Sequence, residues 1–165
     1  MKSKKDRIDL ESYVSRHIVS EISKAAGVPL LMLQCMDYRY PRRTLETMDS
    51  LGLRGKYDQL ILAGASLGVV HKRAWQTTFL DQLEFAINEH QVSQVLILDH
   101  RDCGAYRKFL GVTPDNPKHE KDAHTKIANR AIGVIRKRFP QLKAVSCLLL
   151  PIETIEELVV WPEKP

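Results

Sequence analysis

Cysteine, histidine, aspartate and arginine fall at two short spacings in this 165-residue chain, and both spacings suit a metal centre. The first is Cys35-Met36-Asp37-Tyr38-Arg39, and the second is His100-Arg101-Asp102-Cys103-Gly104. A thiolate and an imidazole three residues apart can grip one zinc ion from a single turn, and Cys35 could supply a second thiolate. Three protein ligands would leave one tetrahedral position for water, the pattern of a catalytic zinc; a closed structural site would want four. Asp37 and Arg39 can place a carboxylate beside the metal, ionised and oriented by bidentate pairing. Such a carboxylate would either orient the zinc-bound water or ligate the zinc itself. Taken singly, a buried cysteine is usually a small hydrophobe and Asp-x-Arg a surface ion pair, so only the combination points to chemistry.

A third motif competes with this reading. Gly64-Ala65-Ser66-Leu67-Gly68 matches the G-x-S-x-G of a nucleophile elbow, for which Asp99 or Asp102 with His119 or His124 would complete a triad. The chain is short for that fold, and the bland account is a glycine-rich turn approaching the metal pocket. His119 and His124 are five apart, which misses the H-E-x-x-H spacing of metalloproteases. His71 reads as a surface histidine and Cys147, inside an apolar run, as inert core.

The elements that must position these residues follow from hydrophobic spacing. Val28–Leu33, Tyr57–Leu62, Gln94–Leu98 and Lys143–Leu150 are nearly continuous apolar runs, the pattern of strands buried on both faces. Between them lie helical patterns. In Lys72–His90, Trp75, Phe79, Leu83, Ala86 and Ile87 recur at three and four residues, read as core packing. In Ala123–Phe139, Ile127, Ala131, Val134 and Ile135 form one stripe, closed by Pro140. A leading helix over Asp9–Ala26 carries Leu10, Tyr13, Val14, Ile18 and Ile22 and must bury that stripe somewhere. Gly111–Lys118 reads as an exposed loop. Alternating strands and helices imply an α/β fold with a mostly parallel central sheet flanked by helices, and ligands in such folds bind beyond the carboxyl ends of the strands. All three motifs lie there.

Composition bounds the rest. At 44% hydrophobic and 27% charged the chain is too apolar for disorder and long enough for a single domain over 1–165, with residues 1–26 as a helical arm. Twenty-five basic against 20 acidic residues leave +5, which draws anions without specifying nucleic acid, and no nucleic-acid partner is expected. No run approaches the roughly 20 apolar residues that span a bilayer, so no membrane role is expected. The charged, mixed amino terminus lacks the pattern of an export signal, and three cysteines suit free thiols or metal thiolates in the cytoplasm.

CMDYR followed by HRDCGA resembles the C-x-D-x-R and H-x-x-C-G pair of the β-class carbonic anhydrases. The resemblance runs from about Val28 to Ala105, includes QLEFAINEHQVSQVLILDH, and is nearest to the compact branch of that family. It implies one zinc per chain on Cys35, His100 and Cys103, an Asp37–Arg39 dyad beside it, and a homodimer or larger assembly whose amino-terminal helix packs on the partner subunit. It also implies reversible hydration of carbon dioxide to bicarbonate and a proton by zinc-bound hydroxide. The chain departs from the family where Leu62-Ala63-Gly64-Ala65-Ser66-Leu67 replaces an Arg-Asn-containing segment, and where Asp99 and Arg101 flank His100. These departures add charge beside the metal and leave two alternatives, a related hydrolase of another small linear molecule such as carbonyl sulfide, or a silent zinc-binding regulatory homologue.

Overall fold

A computed structural model describes residues 8–19 and 28–162. The strands are β1 (Leu30–Gln34), β2 (Tyr57–Ile61), β3 (Gln94–His100), β4 (Ala144–Leu150) and β5 (Glu156–Trp161). The helices are α1 (Leu10–Val14), continued by a π turn over Ser15–Val19, then α2 (Pro41–Ser50), α3 (Ser66–His71), α4 (Arg73–His90), α5 (Gly104–Leu110) and α6 (Pro117–Arg138). The sheet order is β2-β1-β3-β4-β5. Its first four strands are parallel, and β5 pairs antiparallel with β4. The expected α/β architecture is present, with one strand more than the apolar runs disclosed.

The alternation of β1 splits the interior into two layers. Leu31 and Leu33 pack with Phe79, Leu83, Ile97, Ala131 and Ile135 on one side of the sheet. Leu30 and Met32 pack with Leu10, Tyr13, Met48 and Leu96 on the other. β1 and β3 are buried along their whole length, as continuous apolar runs require. β2 differs because it is the sheet edge, with Ile61 half exposed, so the expectation of burial on both faces fails for that strand.

One helix begins well before its expected start. The long carboxyl-proximal helix starts at Pro117 and not near Ala123, because Asn116 caps it by accepting a hydrogen bond from the His119 amide at 3.0 Å and proline fits the first turn. The exposed loop is shortened accordingly. Leu10, Tyr13, Val14 and Ile18, the described part of the stripe, are buried against this chain's own sheet. Ile22 and the expected continuation of that helix to Ala26 lie outside the described residues.

The sheet places the chemistry at the carboxyl ends of two central strands. Parallel register sets Gln34 beside Leu98, so Cys35 emerges one residue past the end of β1 while His100 is the last residue of β3. Both point into the crevice beyond the carboxyl ends of the strands, and Cys103 follows immediately at the start of α5.

Candidate metal centre

Cys35, His100 and Cys103 converge at that crevice. Their ligand atoms all lie within 4.8 Å of one another, the two sulfurs are 4.0 Å apart, and all three residues are buried. His100 Nδ1 lies 2.8 Å from the Arg101 carbonyl, which accepts its N–H, so Nε2 carries the free lone pair. That Nε2 is buried and has no hydrogen-bond partner among the described residues. An orphaned buried acceptor is costly, and here it faces two thiols. Two thiolates and one imidazole are a zinc donor set, and the free nitrogen is what a metal would satisfy, so the residues present fit the ion.

Only the Cys35 thiol is already biased toward that state. The contact with Cys103, together with His100 and the Gly64 N–H, holds the Cys35 thiol well down against the effect of burial. Cys103, left holding the shared proton, is pushed far up by the same contact and by burial. The Gly64 N–H donates to Cys35 Sγ at 3.2 Å. Tyr40 lies over His100, with ring centroids 4.8 Å apart, and fixes the imidazole from outside.

Asp37 and Arg39 form a fork. Arg39 Nε donates to Asp37 Oδ1 and Nη2 to Oδ2, both at 2.8 Å, and the Arg39 amide also donates to Oδ1 at 3.0 Å. The guanidinium holds the Asp37 carboxyl down to about 2, and Asp37 Oδ2 sits 3.8 Å from His100 Nε2. Arg39 is held in turn by Asp102, through its side chain at 3.2 Å and its carbonyl at 2.9 Å. Asp102 can turn its carbonyl this way because its backbone is left-handed, φ 53°. A cleft of about 490 Å³ opens onto Cys35 and Asp37, walled by Met36, Ala63, Trp75 and Phe109, with Lys72 and Lys108 at its rim. Trp75 therefore lines the cleft instead of serving only as core.

The competing motif has a different role. Ser66 is fully buried, and its Oγ donates to Asp99 at 2.6 Å. Asp99 also accepts from His124 Nδ1 at 2.8 Å, so the carboxylate stands between serine and imidazole and takes the place at the hydroxyl that a triad gives to histidine. The glycines serve close approach. A Cβ on Gly68 would lie 2.8 Å from Leu62 Cβ, and one on Gly64 would lie 3.0 Å from Leu67 Cβ. His119 is exposed on α6 and plays no part.

The flanking charges are likewise turned away. Asp99 and His100 occupy opposite pleats, and Asp99 faces Ser66, Tyr106 and His124. Arg101 reaches Glu120 at 2.9 Å and pairs with Glu156, so its charge is matched by two carboxylates. Cys147 is fully buried, and burial pushes its thiol well up, as an inert core residue requires. His71 is exposed and rests on Phe109.

The model of a family described as "Putative carbonic anhydrase" matches residues 27–150, from before β1 through the end of β4. The chain belongs to that family. It is 34% identical over 148 residues to an uncharacterized protein of Rickettsia bellii, covering 88% of each chain. It is 35% identical over 135 residues to one of Rickettsia conorii, covering 80% of this chain and 73% of the relative. Among solved structures, the fold is similar to that of the β-carbonic anhydrase CafA of Aspergillus fumigatus, with a TM-score of 0.50 and 16% identity over 93% of this chain and 85% of that one. No helix among the described residues is long and apolar enough to cross a membrane.

Proposed function

We propose that this protein is a zinc-dependent carbonic anhydrase that interconverts carbon dioxide and bicarbonate at the Cys35–His100–Cys103 centre. The observation that carries the reading is the buried pair of thiols facing an imidazole Nε2 with no hydrogen-bond partner among the described residues. Zinc held there would bring a bound water toward neutrality and supply the nucleophile.

This chain's own residues do the rest. Cys35 Sγ, Cys103 Sγ and His100 Nε2 hold the metal, and the Arg101 carbonyl fixes the imidazole tautomer. Asp37, committed on both oxygens to Arg39, keeps a lone pair toward the cleft and orients the attacking water by accepting its hydrogen bond. The apolar walls from Met36, Ala63, Trp75 and Phe109 suit an uncharged gas, and Lys72 and Lys108 at the rim suit the bicarbonate that leaves. One carbon dioxide and one water give one bicarbonate and one proton, which passes to solvent through the open cleft. The reading includes one zinc per chain, a cytoplasmic location and a homodimer or larger assembly. The same walls would admit carbonyl sulfide, which makes its hydrolysis the second reading.

The test is elemental analysis of freshly purified protein, paired on the same sample with stopped-flow hydration of carbon dioxide and with carbonyl sulfide turnover. Near one zinc per chain with fast hydration that a chelator abolishes supports the proposal. Zinc without hydration shifts it to carbonyl sulfide or to a silent homologue, and no zinc overturns it. Asp37→Ala should keep zinc and lose turnover.

A further inference from the structure

Behind the metal centre lies a second, fully buried polar cluster that the proposed reaction does not use. The Asp99 carboxylate accepts four hydrogen bonds: from the Ser66 amide at 2.9 Å on Oδ1, and on Oδ2 from Ser66 Oγ at 2.6 Å, Tyr106 Oη at 2.9 Å and His124 Nδ1 at 2.8 Å. The Tyr106 and His124 rings stack at 3.7 Å and close the cluster from one side. Asp99, Ser66, Tyr106 and His124 are all at most 1% exposed. A buried carboxylate with this many donors is a rigid anchor, because any movement of a partner leaves a charge or a donor unpaired.

Two of the four bonds seize one residue, Ser66, and what lies just before it is strained. Ala65 has φ 42° and ψ −98°, a backbone that a residue with a side chain rarely adopts, and Gly64 before it has φ 75°. Such a conformation persists only where its surroundings over-determine it. The turn is held at one end by the Ala65 amide, which donates to the Leu62 carbonyl at 3.0 Å, and at the other by Asp99. Between these two points sits the Gly64 N–H, aimed at Cys35 Sγ.

We infer that Asp99 is a positioning residue for the metal centre: its carboxylate clamps Ser66, holds the strained Gly64–Ala65 turn, and so keeps the Gly64 N–H on the Cys35 sulfur. The inference rests on the zinc reading for its consequence but not for its geometry. β3 thus serves the centre twice, directly through His100 and indirectly through the residue before it. The Gly64 N–H fixes the sulfur in its place in the donor set, so losing it weakens metal binding; it also draws electron density off sulfur, so losing it moves the sulfur-to-metal charge-transfer band to lower energy.

The experiment compares wild type with Asp99→Asn, which turns one acceptor into an NH2 facing the His124 N–H. Amide exchange at Gly64 is measured by NMR on the metal-free full chain, and Co(II) titration follows on the same samples. The expected results are Gly64 exchange faster by at least about tenfold, Co(II) affinity lowered by about 10- to 100-fold, and a red-shifted thiolate band. Ser66→Ala, which keeps the backbone bond to Oδ1, should shift the same readouts in the same direction by less, and it serves if Asp99→Asn does not fold. Leu83→Ala, a core truncation away from the turn, should lower stability without moving the band. Unchanged Gly64 exchange in a folded Asp99→Asn or Ser66→Ala variant overturns the clamp. A wild-type chain that takes up no Co(II) or Zn(II) overturns the zinc reading instead, while the amide measurement still decides the clamp.

Discussion

Arg39→Gln isolates the cause of the most perturbed exposed-side carboxylate in the site. The guanidinium touches Asp37 through two 2.8 Å bonds and Asp102 through two more, and glutamine cannot reproduce a fork aimed at both. Asp37 lies at about 2 against an ordinary 3.8, and the largest cause is the Arg39 side chain, with burial working in the opposite direction. That displacement corresponds to roughly 2.4 kcal/mol at about 1.36 kcal/mol per pH unit. The Arg39 side chain is 38% exposed, so solvent screening reduces the contribution to about 1 kcal/mol. Because the folded value is depressed, this stability is present in full above pH 4 and is lost as pH falls toward 2. Two measurements check it on metal-free protein: carboxyl carbon NMR of Asp37 against pH, and urea unfolding at pH 7 and pH 3. Arg39→Gln should raise the Asp37 midpoint to about 4 and cost about 1 kcal/mol at pH 7, with the cost shrinking at pH 3. An Asp37 midpoint still near 2 in the variant would refute the fork as the cause.

Cys103→Ser and His100→Ala should each reduce bound zinc below about a tenth of an equivalent by elemental analysis while leaving the far-ultraviolet circular dichroism intact, since each removes one of three ligands. Stripping zinc from wild type with a chelator should lower Tm by about 10 °C in calorimetry, the size expected when free metal stands near a thousandfold over Kd for a chain of this length. Gly68→Ala should cost about 1–3 kcal/mol in urea unfolding, because the added methyl meets Leu62 Cβ at 2.8 Å and the Ala63 carbonyl oxygen at 3.2 Å; a neutral result would show that the turn into α3 can relax.

The metal triad was legible because its ligands sit at strand ends, where side-chain type and short spacing are enough to suggest convergence. Cys35 and His100 are far apart in the chain, yet the parallel pairing of β1 with β3 brings them together without any further signal being needed. The Asp99 cluster was not legible in the same way. The sequence offered Ser66, Asp99 and His124 together only as one of several possible triads, and the packing of α6 against the sheet is what buries His124 and selects it over His119. Ser66 was visible as part of a motif, but its partner order was not, and order is what separates an anchor from a nucleophile. β5 was missed because its apolar content, Leu158 to Trp161, is short and follows a charged stretch. The early start of α6 had a signal in Asn116-Pro117, an N-cap followed by a first-turn proline.

Asp99 and His100 are neighbours in the chain but belong to opposite sides of the sheet, and this limits what the strand tolerates. β3 is paired on both edges, residue for residue, with β1 and β4. Deleting or inserting one residue within it would exchange the two faces, carrying the carboxylate into the metal crevice and the imidazole in among Ser66, Tyr106 and His124. A single length change would therefore remove the ligand and its support together. The loop between α5 and α6, which bears no residue of either cluster, is where this chain can change length without cost to its chemistry.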